Sequence, residues 1–154
     1  MPHVPGLRSP YAKIGRIVYF GRMLDKIRLH AAGKLPGEYV GNLGDGTPGM
    51  FDARCCHFLR IRYDELKKLV LEHASSDEDA LAWAEKQGGR RSDEECVIWN
   101  GFMIKRGWRD DATVRLARRI KESGFEQMTV LTMFDYIDYD EGRDPVATRA
   151  WEAV

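Results

Sequence analysis

Two features are missing from this 154-residue sequence: a long apolar run and a net charge. No apolar stretch approaches the roughly 18 to 20 residues that a bilayer-spanning helix needs, which argues against a membrane protein. Lysine and arginine total 24 and balance 24 acidic residues, so the chain lacks the positive excess of a general nucleic-acid binder. Residues 1–6 carry no basic patch followed by an apolar segment, so we expect no secretory signal.

Cysteine is also scarce, with Cys55 and Cys56 adjacent and Cys96 alone. An odd count is a poor disulfide framework, which predicts reduced thiols and a cytoplasmic location. Zinc sites usually space their cysteines two to four residues apart, whereas neighbouring side chains on a helix point about 100° apart. The segment Cys55-Cys56-His57 therefore predicts core packing, and we expect no metal and no cofactor.

The hydrophobic content of 44% and the charged content of 31% are ordinary for a globular protein, and the length fits one domain spanning residues 1–154. Helical spacing and helix caps predict an all-α fold: a compact bundle of about seven short helices, without a sheet of three or more strands. The Gly-rich segment Leu35–Pro48 is predicted to be a long loop. Phe51–Leu59 fits a strand or a short helix, and Asp52 as a cap favours the helix.

The other predicted helices follow from their caps and stops. We expect them from Ser9-Pro10 to Gly33, from Asp64 to His73, from Ser76 or Asp77 to Gly88, from the Ser92–Glu95 capping box to about Arg106, from Asp110 to Gly124, and from Met128 to Asp140, with one further turn after Pro145.

Two motifs resemble known sites but lack their context. Gly44–Gly49 matches the dinucleotide pattern G-x-G-x-x-G, yet no strand precedes it and Pro48 removes a backbone donor, so a surface loop is predicted. The segment Lys105–Arg109 with the basic helix after it resembles a DNA-reading pair of helices. Because Asp110 and Asp111 occupy the end that would approach phosphates, we expect no nucleic-acid partner.

The charge is distributed unevenly. Residues 1–62 hold ten basic and four acidic residues, and residues 63–154 hold fourteen and twenty. The last helix ends in four acids, Asp135, Asp138, Asp140 and Glu141, although each acid at a helix C-terminus costs about 0.3–1 kcal/mol. We therefore expect this acidic end to dock against cations of the first half, namely Arg22, Lys26, Arg28 or Arg54.

Several strings in the sequence are distinctive: Arg22–Arg28, Phe51–Arg54, Trp99–Phe102, Arg106–Asp110 and Phe134–Asp138. Together they resemble a bacterial family known only as a domain of unknown function, over about Leu7 to Arg143. The resemblance implies a bacterial source and a small, mostly helical domain. It implies no activity, cofactor or catalytic residue.

These observations predict a protein that binds an anionic small molecule or a protein partner. One alternative is an enzyme whose Asp135 and Asp138 carboxylates bind a metal or transfer protons. The other is a structural or regulatory protein with only an internal ion network. An open concavity lined by the candidates would indicate a site, and mutual pairing a network. The candidate residues are Arg22, Asp25, Lys26, Arg28, Arg54, Arg106, Trp108, Arg109, Asp135 and Asp138.

Overall fold

The fold is mostly helical, as predicted. A computed structural model describes residues 3–73, 76–148 and 151. In those residues the elements are β1 (Lys13–Ile14), β2 (Ile17–Val18), α1 (Phe20–Ala31), a 3₁₀ helix (Gly37–Asn42), α2 (Phe51–Leu59), α3 (Tyr63–Glu72), α4 (Asp77–Gly88), α5 (Asp93–Lys105), α6 (Thr113–Glu122), α7 (Met133–Asp140) and α8 (Pro145–Thr148). The described part of the chain contains one sheet, the antiparallel β1–β2 hairpin. None of its helices is long and apolar enough to cross a membrane.

Two helices with a serine cap, α4 and α5, begin where the sequence predicts. The Ser76 side chain accepts a hydrogen bond from the Asp79 backbone N–H at the start of α4. At the start of α5, Ser92 and Glu95 form the complete capping box. The segment Phe51–Leu59 is helical and not a strand. Such caps depend on residues three positions apart, so their signal lies within the local sequence.

The predicted helix start at Ser9-Pro10 is wrong. The hairpin occupies this region, with Ile14 paired with Ile17 across a turn at Gly15, whose φ of +58° suits glycine. Helix α1 begins only at Phe20. Ile14, Ile17 and Val18 have helical spacing, but the same three residues are also neighbours in a tight hairpin.

The starts of three later helices also differ from the prediction. Asp64 and Asp110 do not cap α3 and α6, which have Arg62 and Ala112 at their N-cap positions. Helix α7 starts at Met133 rather than Met128, because Thr132 is extended and its hydroxyl accepts the Asp135 backbone N–H. The turn predicted after Pro145 is confirmed as α8.

Helix α1 lies at the centre of the main core. Every residue from Phe20 to Ile27 is buried, including Arg22, Asp25 and Lys26. Because the apolar side chains of α1 occupy the core on several sides, its polar residues must find partners inside the protein. This position determines the site described below.

The three cysteines lie in the same main core. All are buried and none forms a disulfide, which confirms the predicted burial. Burial raises the pKa of the Cys56 thiol to about 12, and it also raises the pKa of Cys55.

Candidate functional site

A cleft of about 470 Å³ lies where α1, α2, α6 and α7 meet the loop before α2. Met50, Phe51, Met133 and Ile137 contribute apolar surface. The cleft-lining residues include six cations and three acids: Arg22, Lys26, Arg54, Arg106, Arg115 and Arg119 against Asp111, Asp140 and Glu141.

The first part of the cleft floor is an ion pair between Arg22 of α1 and Glu141, which follows α7. Two hydrogen bonds of 2.8 and 2.6 Å join their side chains, and both residues are buried. Burial disfavours the charged carboxylate, but the hydrogen bonds and charge of Arg22 outweigh it and lower the pKa of Glu141. The Tyr39 hydroxyl donates a third hydrogen bond to Glu141, at 2.9 Å. The pair therefore stays charged at neutral pH.

The second part of the floor is built around Asp52, which is completely buried. It accepts hydrogen bonds from the Lys26 ammonium and the Tyr19 hydroxyl, each at 2.6 Å, and from the Gly44 backbone N–H at 3.0 Å. Burial lowers the pKa of Lys26, although Asp52 opposes this shift. Tyr19 has a positive φ of 75°, a strained conformation that its buried side-chain contacts hold in place.

Three arginines form the rim of the cleft: Arg54 of α2, and Arg115 and Arg119 one turn apart on α6. Arg54 donates to the Gly49 carbonyl at 3.2 Å and lies over the Phe102 ring. Arg119 lies over the Tyr136 ring. Within residues 3–73, 76–148 and 151, none of these three guanidinium groups has a carboxylate within 4 Å. We call Arg54, Arg115 and Arg119 the rim arginines.

Arg106 also lines the cleft but is paired. Its guanidinium contacts Asp110 at 3.2 Å and hydrogen-bonds to Asp111. Both acids keep Arg106 charged, and the hydrogen bond from Arg106 lowers the pKa of Asp111. Arg106 therefore adds less unbalanced charge to the cleft than the rim arginines do.

Of the ten candidate residues, the cleft brings together four: Arg22, Lys26, Arg54 and Arg106. Asp25 and Arg28 lie outside it, in a separate network. Arg8 bridges Asp25 at 2.8 Å and Asp77 at 2.7 Å, and Arg28 contacts Asp77 at 2.9 Å. This network fastens the N-terminal segment and α1 to the start of α4.

Trp108 and Arg109, on the turn after α5, do not line the cleft either. Both are exposed, and the Arg109 guanidinium lies 5.0 Å from the Trp108 ring centroid.

The two carboxylates of α7 are buried and hydrogen-bonded below the surface. Asp135 accepts the Tyr11 hydroxyl at 2.6 Å and the Leu131 backbone N–H at 3.0 Å. Asp138 accepts the Ser9 hydroxyl at 2.8 Å and an Arg143 N–H at 3.1 Å. Burial raises the pKa of Asp138 despite these bonds. Neither carboxylate lines the cleft.

The predicted docking of the acidic helix end is confirmed through Glu141, but its partners are fewer than expected. Arg22 and Arg143 contact Glu141, whereas Lys26 binds Asp52 and Arg28 binds Asp77. The prediction considered the available cations but not the acids elsewhere in the fold, Asp52 and Asp77, that bind two of them.

The sequence reasoning missed several cleft residues. Tyr39 was assigned to a loop, and Arg115 and Arg119 to the favourable end of a helix dipole. Asp52, which does not line the cleft itself but binds the cleft-lining Lys26, was assigned to a helix cap. The spacing of Arg115 and Arg119 by four residues was the available signal, since such a pair shares one helix face. In the described part of the chain, no three His, Cys, Asp or Glu side chains lie close enough together to hold a metal ion.

The sequence model of one protein family, described as Domain of unknown function (DUF5069), matches residues 4–143. No curated protein sequence matches the chain.

Proposed function

Because the chain belongs to the DUF5069 family, whose description names no activity, we propose a function from the cleft: binding of a small molecule that carries a phosphate or carboxylate group. The observation that carries this proposal is the set of rim arginines, which share one cleft without a carboxylate partner in the described chain.

Three guanidinium groups around one concavity repel one another, and a bound anion removes that repulsion. Arginine also matches the geometry of phosphate and carboxylate oxygens, because its planar group can donate two parallel hydrogen bonds. The rim is accessible, since Arg115 and Arg119 are exposed and Arg54 is partly buried. These properties suit an oxyanion that enters from solvent.

The floor of the cleft has a different role in this proposal. Short hydrogen bonds hold the Arg22–Glu141 and Lys26–Asp52 pairs in place. The pairs therefore give the cleft a fixed shape and a fixed electrostatic field. Met133, Ile137 and Phe51 offer apolar surface to the body of the ligand. The volume of about 470 Å³ lies within the range typical of small-molecule sites.

The enzyme alternative has less support. It assigns chemistry to Asp135 and Asp138, which are buried, hydrogen-bonded and outside the cleft. The internal-network alternative accounts for the paired floor but leaves the rim arginines without a role. A protein partner, a bacterial source and a cytoplasmic location stay predictions from the sequence.

The test is isothermal titration calorimetry with three probe anions at constant ionic strength: inorganic phosphate, pyrophosphate and citrate. Phosphate and citrate separate the two oxyanion classes, and sodium chloride serves as the screening control. We expect saturable binding of at least one probe. The double variant Arg115→Ala/Arg119→Ala should weaken it by about tenfold or more, because it removes two charge-assisted contacts.

The matched control is Arg118→Ala on the same helix. Arg118 is two-thirds exposed, faces Glu122 at 4.0 Å and does not line the cleft, so its removal should leave the affinity unchanged. Absence of saturable binding for all three anions, or equal losses in the double variant and the control, would overturn the proposal.

A further inference from the structure

Helix α5 carries apolar side chains on two opposite faces. Its inner face, with Cys96, Trp99 and Met103, is buried in the main core. Its outer face carries Val97, Ile98 and Phe102, which are 70%, 64% and 41% exposed. A helix that is apolar all round is typically covered on all sides, whereas the described part of the protomer leaves Val97 and Ile98 of α5 largely exposed.

We propose that the outer face of α5 binds the same face of a second copy of this protein, with the two helices antiparallel. The face consists of six residues at helical spacing: Glu94, Val97, Ile98, Gly101, Phe102 and Lys105. None of these six residues lines the cleft, although Phe102 borders it through Arg54 and Arg106, and the inference does not depend on the proposed function.

The order of these six residues is self-complementary. When a two-fold axis crosses α5 midway between Trp99 and Asn100, Val97 meets Phe102 of the partner copy and Ile98 meets its Gly101. The same axis brings Glu94 against Lys105 of the other copy. A two-fold axis repeats each of these contacts, as an isologous interface requires.

Charge selects the antiparallel arrangement. Glu94 and Lys105 stand at opposite ends of α5, so an antiparallel pair joins opposite charges at both ends, while a parallel pair would join like charges. Both residues are exposed. Among the described residues, neither has an ion-pair partner within its own protomer. The antiparallel dimer places each of these two side chains beside an opposite charge.

Gly101 permits close approach at the centre of this face. A Cβ atom added there would meet no described residue of the protomer within 4 Å, so the space above it is open. The Ile98 side chain of a second copy fits that space.

The expected association is reversible. One face of a 13-residue helix buries less than the roughly 800 Å² per partner typical of a stable complex. We therefore expect dissociation in the micromolar range, with monomer and dimer both present at working concentrations.

The test is sedimentation velocity over roughly 1 μM to several hundred μM, a range that brackets the affinity expected of a small interface. Wild type should shift from monomer to dimer with concentration. Ile98→Glu should abolish the shift, because it buries an unpaired carboxylate at the axis. Val114→Glu is the matched control: Val114 is 82% exposed and belongs to another helix, α6, so this substitution should leave the dimer unchanged.

A charge swap tests the register. Either Glu94→Lys or Lys105→Glu alone should weaken the dimer by about tenfold, because each turns two symmetric attractions into repulsions. The double variant Glu94→Lys/Lys105→Glu should restore it. Circular dichroism of each variant checks that the exposed substitutions leave the helices intact. Phe102 is left unchanged, because Arg54 and Arg106 of the cleft lie over its ring.

A wild-type protein that stays monomeric over this range would overturn the proposal. So would a dimer that Ile98→Glu leaves intact, or a double swap that fails to recover the affinity lost in the single variants.

Discussion

Arg22 and Glu141 are 119 positions apart in the chain, yet their side chains meet in the interior through two hydrogen bonds. The contact joins the central helix α1 to the C-cap residue that follows α7. It also forms part of the floor of the cleft, so one ion pair connects the core to the candidate site.

Arg22→Met should destabilise the protein by about 3 kcal/mol, because Glu141 would stay buried with only part of its partners. Arg143 keeps its contact of 2.6 Å with Glu141, which places the expected loss at the lower end for a broken buried pair. Urea unfolding at neutral pH measures it. Arg118→Met removes an exposed pair and should change the free energy of unfolding by no more than about 0.5 kcal/mol. Equal effects of the two substitutions would contradict a stabilising role for the buried pair.

The pH dependence of stability should contain a contribution from Glu141. Its folded pKa is lowered from 4.5, so the folded state binds fewer protons than the unfolded state. Its contribution is therefore present above about pH 4.5 and is lost as the pH falls through the folded value. Asp138 acts in the opposite direction: its folded pKa is raised, so its contribution is lost as the pH rises.

Glu141→Gln separates the two effects, since Asp138 stays in both proteins. The stability difference between wild type and this variant should be largest near about pH 7 and should shrink towards about pH 3. Urea unfolding at several pH values measures the difference. A gap that is constant with pH would show that Glu141 does not titrate differently on folding.

Gly88→Ala should severely destabilise the fold. A Cβ atom there would lie 1.9 Å from the Leu59 carbonyl oxygen, so the end of α4 and the end of α2 would have to separate. Gly46→Ala is the matched control, since no residue that the structure describes lies within 4 Å of the added atom and the φ of Gly46 is not positive. We expect a loss of several kcal/mol or failure to fold for Gly88→Ala and a change within about 0.5 kcal/mol for Gly46→Ala. Thermal unfolding and soluble yield compare the two, and equal stability of both variants would refute the close contact.

The thiols should resist modification in the native protein. Burial raises the pKa of Cys56 to about 12 and raises those of Cys55 and Cys96, so little thiolate is present at neutral pH. A colorimetric thiol reagent should label all three cysteines in denaturant and react slowly without it. Cys96 should be the first to react, because it lines a small cavity near Gly15. Rapid native labelling of Cys55, tracked by mass spectrometry of peptides, would contradict its burial.

The parts of the fold that were predicted correctly depend on short-range chemistry. Ser76 and Ser92 mark the starts of α4 and α5 because a hydroxyl reaches a backbone N–H three residues later. The hairpin was missed because Ile14, Ile17 and Val18 fit a helix and a hairpin equally well by spacing. Two distant side chains hold it in place through three hydrogen bonds: Asn100 accepts from the Val18 N–H and donates to the Arg16 carbonyl, and Trp99 donates to the Val18 carbonyl.

The sequence by itself determined a mostly helical domain, buried cysteines and an acidic helix end that needs cationic partners. These three features follow from the amino-acid composition, the helix caps and the distribution of charge. Only the tertiary structure decided which cation each acid binds, because Asp52 and Asp77 compete for Lys26 and Arg28. It also decided that Arg54 lies near Arg115 and Arg119. That arrangement requires α6 to lie beside α2 and α7, and no local pattern specifies which helices become neighbours.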